Sequence, residues 1–370
     1  RARRQICRRQ VMEATLMKRC NSLNHMRKSL TLLLLALLLG TSNPGAAQSR
    51  VGTTAATFLT LGAGARGTSL GHAYTAIATG PDALFWNPGG AARSYNDRMR
   101  GGVLFSSNKW LAGIDYNAFA VTIPVTSTGV FGLSLATVDY GRMDVRSVAR
   151  PEGTGETFGA SDLSLALTYA MPLTPSFFFG GSTKYVYQSI RDMSAKTVAF
   201  DFGFVLVTDY LNGAQIAASI MNFGGKMQMQ GINSELNVDL DEKNTGSTES
   251  IPARIRMDQW DLPISFKLGV GIPVISTSNV ELMMLADANQ TNDNNLNSDL
   301  GAQLKYFTRN LAFNTRVGYK DANLDNVDTH WSYGAGLEVE LAGARFGFDF
   351  AYIPFDLLDD TRTFDLRIYF

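Results

Sequence analysis

From about residue 99 to the C-terminus, large apolar positions alternate with small or polar ones. Phe131, Leu133 and Leu135 stand against Gly132, Ser134 and Ala136. Leu163, Leu165, Leu167 and Tyr169 stand against Ser164, Ala166 and Thr168. The same holds for Val198, Phe200, Phe202, Phe204 and Leu206, and again for Phe346, Phe348, Phe350 and Tyr352. A period of two sends successive side chains to opposite faces of a strand. The pattern predicts fourteen strands, at 99–107, 112–125, 129–143, 156–171, 176–191, 196–208, 213–223, 262–273, 278–289, 296–307, 310–320, 329–341, 343–353 and 361–370.

The second face decides the class. A soluble sandwich carries Lys, Glu and Thr on its solvent face. Here that face is mostly Gly, Ala and Ser with scattered Asp, Arg and Glu, while the apolar face is large and often aromatic. Lipid outside and a polar or tightly packed lumen inside is the arrangement of a transmembrane antiparallel β-barrel. Connection lengths agree in part. "VTST", "MPLTPS", "TDYLN", "PVISTS", "TRN" and "AG" follow even-numbered strands and are short. "DVRSVARPEGTGE", "DANLDNVDTH" and residues 224–261 follow odd-numbered strands and are long and polar, whereas the connections near 108–111 and 192–195 are short. The chain stops on "FDLRIYF", with Phe364, Leu366, Ile368 and Phe370 on one face. A closing strand that pairs with the first must be ordered to its end, which the alternation predicts here. An aromatic last residue preceded by alternate apolar positions also resembles the signal read by the outer-membrane barrel assembly machinery.

Residues 48–98 carry no ten-residue alternation and read as a separate segment, expected inside the lumen as a plug. Asp82 to Phe85 is expected to make a helical turn. Asn87-Pro88 then reads as a cap followed by Pro at the first helical position, opening a second short helix. Trp86 is expected to anchor the plug on the inner wall, beside Phe85. Upstream, Arg27 and Lys28 precede an apolar run from Leu30 to Leu39 and then "GTSNPGAAQ", the order of a secretory signal peptide over 26–47. Ten residues of helix would cover only about 15 Å of an about 30 Å hydrocarbon core, so an anchor is excluded. Residues 1–25, ahead of Met26, are expected to be upstream sequence translated in error. Without residues 1–47 the chain keeps 24 basic and 32 acidic side chains and neither cysteine, Cys7 nor Cys20. That balance carries no nucleic-acid footprint.

Motif matches to enzymes lack their context. Gly62, Gly64 and Gly67 fit G-x-G-x-x-G, but no βαβ unit surrounds them. Gly67, Ser69 and Gly71 fit G-x-S-x-G without a strand-to-helix turn in an α/β sheet. "NQTNDNNLNSD" offers oxygens without EF-hand spacing, and His72 and His330 have no partner at metal-ligand spacing. No cofactor, metal or enzyme activity is expected.

"FLTLGAGARGTSLGHAYTAIATGPDALFWNPGGAA" is similar to the start of the PorV/PorQ group of outer-membrane proteins, within the FadL-like barrels. Gly62, Gly64, Arg66, Gly71, Tyr74 and the stretch Phe85, Trp86, Asn87, Pro88 and Gly89 carry the likeness, with Gly89 replacing the family's usual alanine. The resemblance implies a fourteen-stranded barrel around a plug in a Gram-negative outer membrane, surrounded by lipid. The PorV branch implies a non-enzymatic part in type IX secretion and cell-surface attachment, with secreted proteins and a translocon as partners. The FadL branch implies import of hydrophobic small molecules.

Overall fold

The computed structural model describes residues 51–96, 101–125, 129–238, 251–324, 329–356 and 358–370. The expected signal peptide and the stretch before it lie outside these residues. Fourteen strands form the wall: β1 (Gly102–Lys109), β2 (Asp115–Val125), β3 (Gly129–Asp144), β4 (Thr157–Thr174), β5 (Phe177–Ile190), β6 (Met193–Val207) and β7 (Gln215–Gly224). They continue as β8 (Ser265–Ser276), β9 (Val280–Thr291), β10 (Asn297–Phe307), β11 (Leu311–Tyr319), β12 (Trp331–Leu341), β13 (Ala344–Ile353) and β14 (Thr361–Tyr369). Every neighbouring pair is antiparallel, and β14 pairs with β1 from Gly102↔Tyr369 to Lys109↔Arg362, which closes the sheet. The terminus is tied as well: Gly101 and Phe370 exchange backbone hydrogen bonds of 3.0 and 3.1 Å. Closure leaves the wall without an open sheet edge, the arrangement that satisfies backbone groups in hydrocarbon.

Bounds differ from the sequence expectation by a few residues. The largest change is at β8, which runs to Ser276 and absorbs "PVIS", leaving a tighter turn. The long connection between β7 and β8 also contains short strands at Gln230–Gly231, Glu235–Val238 and Ile251–Arg254. They are too short for a period-two pattern to stand out. Strands β3 to β6 are 14 to 18 residues long. About 9–11 residues cross a bilayer at the usual tilt, so this side of the wall stands taller.

The outward face is apolar by register, not only on average. Val198, Tyr185, Leu165, Leu135, Phe119 and Phe105 lie directly opposite one another along β6 to β1. The row continues through Leu366, Phe348, Leu337, Phe313, Tyr306 and Val280 on β14 to β9. All twelve are exposed or half-exposed. A contiguous apolar band of this extent suits hydrocarbon and not water. Across the seam, Phe105, Phe119, Leu135, Phe313, Phe348 and Leu366 of this band line a concavity of about 870 Å³.

The inward face holds the buried polar residues, among them Lys184, Asp201, Asp287, Asp299, Arg316, Asp349, Asp365 and Arg367. Residues 51–96 run through the lumen against this face. They form helices α1 (Ala65–Ser69) and α2 (Ala83–Trp86), with 3-10 turns at Thr57–Thr60, Gly80–Asp82 and Pro88–Asn96. The wall makes room with glycines: a Cβ at Gly180 would lie 2.5 Å from the Pro88 carbonyl carbon, and one at Gly203 would overlap the Asn87 side chain.

Candidate lumenal site

The lumenal segment builds its own small core. Trp86, 1% exposed, donates from Nε1 to the Ala63 carbonyl at 2.8 Å. His72 and Tyr74 meet its ring edge-on at 5.1 and 5.7 Å. Gly62, at φ +73°, lies against the same ring, and a Cβ there would come within 2.7 Å of Cη2. Trp86 therefore packs chiefly inside the segment, where sequence reasoning placed it on the wall. The step beside it reaches the wall. Asn87 donates from Nδ2 to the carbonyls of Thr75 and of Phe204 on β6, both at 3.1 Å. Its Oδ1 accepts from Gly89 N–H at 3.1 Å, capping the 3-10 turn that Pro88 opens. Phe85 is half-buried and Gly71, at φ +62°, abuts Tyr319 of β11.

A buried ionic cluster fixes α1 and the Gly80–Asp82 turn to the wall. Arg367 of β14, fully buried, donates to Asp82 from Nε at 2.7 Å and from Nη2 at 2.5 Å, and to Asp365 at 2.7 Å. Arg66 bonds Asp349 at 3.1 Å and Glu338 at 3.0 Å, and Arg316 bonds Asp349 at 2.6 Å. The Ala65 N–H donates to Asp365 at 2.5 Å, and Gly64 lies between the Asp82 and Asp365 carboxylates. Burial alone would penalise each charge, and the mutual pairing offsets it, although the Asp365 Oδ1 is buried without a hydrogen-bond partner among the described residues. Of this cluster the sequence reading named Gly64 and Arg66 as site residues, and Asp82 as the start of a helical turn. The wall's charges were visible only as isolated Asp, Arg and Glu on a small-residue face.

On the other side of Trp86 lies a cavity of about 370 Å³. Phe58, Leu59, Leu84, Phe85, Trp86 and Tyr116 give it an apolar border. Lys184, Lys267, Lys320, Asn222 and Asn289 give it polar groups. Lys184 is committed to Asp201 at 3.0 Å and to Asn222 at 2.7 Å. Lys320 pairs loosely with Asp321 at 3.6 Å. The Lys267 ammonium sits 4.9 Å from the Trp86 ring centroid and makes no ion pair among the described residues. His72 borders the cavity too. Burial, reinforced by Lys320 and Lys267, holds its imidazole well below the ordinary value, so it is neutral at pH 7.

The enzyme-like motifs are spent on packing. Ser69 donates its hydroxyl to the Arg66 carbonyl at 3.0 Å, and the neighbouring His72 lies against Trp86. Of the asparagine-rich stretch, Asn289 and Asn297 line the cavity from β9 and β10, and Asp293 accepts from the Thr54 hydroxyl at 2.8 Å. Phe364 and Phe370 point outward, 57% and 56% exposed, with Leu366 and Ile368 half-exposed between them.

No family model and no curated protein matches the sequence. Solved structures do match the fold. The Pseudomonas putida toluene transporter TodX aligns at 12% identity and TM-score 0.51, over 83% of this chain and 97% of that one. The CymD monoaromatic hydrocarbon channel aligns at 10% identity and TM-score 0.52, over 83% and 96%. The Ralstonia pickettii toluene transporter TbuX aligns at 11% identity and TM-score 0.50, over 84% and 98%. At such identities the likeness is one of fold, and the fold that this chain shares with these transporters and channels is a closed fourteen-stranded antiparallel barrel.

Proposed function

We propose that this protein is an outer-membrane barrel of a Gram-negative bacterium that binds and passes small hydrophobic molecules. It is exported by the signal peptide at 26–47, inserted by the barrel assembly machinery and surrounded by lipid. The observation that carries the reading is the cavity bordered by Phe58, Phe85, Trp86 and Tyr116 inside the wall. Its volume is in the range of small-molecule pockets, which run from about 300 to 1,000 Å³. The fold shared with hydrocarbon transporters and channels supports it. In this reading the aromatic border takes the apolar body of a ligand, and Lys267 takes a polar or anionic end.

The test is ligand extraction and binding. The purified barrel is extracted and the organic phase analysed by mass spectrometry. Toluene and benzoate are then titrated against tryptophan emission in the parent and in Trp86→Ala and Lys267→Met. Saturable quenching that Trp86→Ala abolishes is expected, with Lys267→Met weakening benzoate about tenfold and leaving toluene unchanged. No saturable response to any extracted or added apolar molecule would overturn the reading.

A second reading is a PorV-type component of type IX secretion and surface attachment, with secreted proteins and a translocon as partners. The observation favouring it is the apolar surface of the connection between β7 and β8, where Ile232, Ile255 and Trp260 are 73%, 55% and 48% exposed. Ile232→Glu with Trp260→Glu should then release exported proteins from the cell surface without changing the amount of barrel. Unchanged surface attachment would remove this reading.

A further inference from the structure

We propose that the lumenal segment is the template on which the barrel closes, with the Gly80–Asp82 turn acting as a clip across the seam between β1 and β14. This concerns how the wall is completed and does not depend on what the lumen carries.

The turn touches both strands that must meet. On the β14 side, Asp82 accepts both hydrogen bonds of a bidentate pair from Arg367, and Gly80 lies 3.3 Å (at its Cβ position) from the Tyr369 ring. On the β1 side, Pro81 Cδ is 3.2 Å from the Cβ position of Gly102. Gly102 and Tyr369 are themselves register partners in the seam. The inward charges of β14 find no charge on β1: Arg367 faces Leu104 across the seam, and Asp365 faces Ser106. Their partners come from β13, as Asp349, and from the lumenal segment, as Asp82 and the Ala65 N–H.

Chain topology makes this arrangement consequential. Asp82 and Arg367 are 285 residues apart. Closing β14 onto β1 directly requires a loop of about the same length. Once Asp82 has docked on Arg367, β1 begins only about twenty residues along the chain. Loop-closure probability falls roughly as the −3/2 power of length, so the local concentration of β1 at the seam rises about fifty-fold. A charge pair suits the first contact, because Coulomb attraction acts over greater distance than packing. The segment is thereby placed before the seam zips, and it is enclosed when the seam is complete.

The experiment follows closure in the full chain, with Cys7 and Cys20 replaced by Ser. A disulfide between Ser107→Cys and Phe364→Cys, outward register partners in β1 and β14, reports the seam. A second pair, Leu70→Cys with Gly301→Cys, reports docking of the segment on β10, where the Leu70 Cβ is 3.3 Å from the Cβ position. Both are timed during refolding into lipid vesicles. The docking disulfide should form no later than the seam disulfide. Asp82→Asn should slow the seam about tenfold while strand formation by circular dichroism keeps its rate. Asp82→Arg combined with Arg367→Asp should recover part of the loss. Lys184→Gln, which removes another buried ion pair, with Asp201, away from the seam, should leave the seam rate unchanged. A seam that forms before docking overturns the proposal. So does an Asp82→Asn chain that closes at the parent rate or is slowed no more than Lys184→Gln. If Asp82→Asn fails to fold, the order of the two disulfides in the otherwise unaltered chain decides alone.

Discussion

At the scale of single residues, the lumen is governed by how polar groups are paired once water is excluded. Arg367 is fully buried yet bonded to three carboxylates. Lys267 has an aromatic face in place of a carboxylate. His72 is held neutral by its surroundings, and this makes a pH prediction. Its imidazole is depressed in the folded protein by burial and by Lys320 and Lys267. The unfolded chain has a histidine near pH 6.5 and therefore binds the proton more readily below that value. Stability from this group is complete above pH 6.5 and falls as the pH drops through and below it, by up to about 1.4 kcal/mol per pH unit until the folded group also protonates. Loosening of the lumenal segment, followed by protease sensitivity at pH 7 and pH 5, should show the effect. His72→Asn, which accepts the left-handed backbone at φ +70°, should flatten the difference. An equal pH response in His72→Asn would assign the effect to another group.

At the scale of elements, β14 joins two functions on two faces. Outward, Phe364, Leu366 and Ile368 continue the apolar band, and the Phe370 ring covers Gly101, where a Cβ would lie 2.6 Å from it. Inward, Asp365 and Arg367 join the ionic cluster. We propose that the outward series ending in Phe370 is also the assembly signal. Phe370→Ala, or deletion of Phe370, should lower the heat-modifiable folded band in outer membranes several-fold when assembly machinery is limiting. The same variant refolded from denaturant into vesicles should close within about twofold of the parent yield, because the ring is more than half exposed and contributes little burial. Equal assembly in cells would remove the signal reading. Much of this element was legible beforehand. A period-two alternation needs only local sterics, so the face of Phe364 and Phe370 followed from the sequence. What Arg367 bonds did not follow, because its partner Asp82 lies in a segment without periodicity.

At the scale of the whole molecule, the connections divide into two groups. The end that holds Gly102 and Tyr369 has connections of no more than seven residues, and the opposite end has the long connections after β3, β7 and β11. A barrel with its termini on the periplasmic side directs the long connections outward, and we propose that orientation here. Ser247, a natural position to probe, lies outside the described residues. Val148, fully exposed between β3 and β4, and Tyr210, 72% exposed between β6 and β7, serve instead. In the cysteine-free background, Val148→Cys should react with a membrane-impermeant maleimide on intact cells, and Tyr210→Cys only after lysis. The reverse pattern would invert the topology.

The sequence by itself determined the number of strands, the faces of the wall and the capped step at Asn87-Pro88. Each of these depends on φ/ψ preferences and side-chain direction over a few residues, which composition and period express directly. Only the tertiary structure decided that Trp86 packs within the lumenal segment, that Asp349 and Arg316 join Arg66, and that a cavity remains beside Lys267. Those contacts join residues from a dozen to nearly three hundred positions apart, as His72 to Trp86 and Arg66 to Asp349 do. They are selected by the shape of the closed lumen and by the surroundings it offers to the charges it buries, and no local pattern records either.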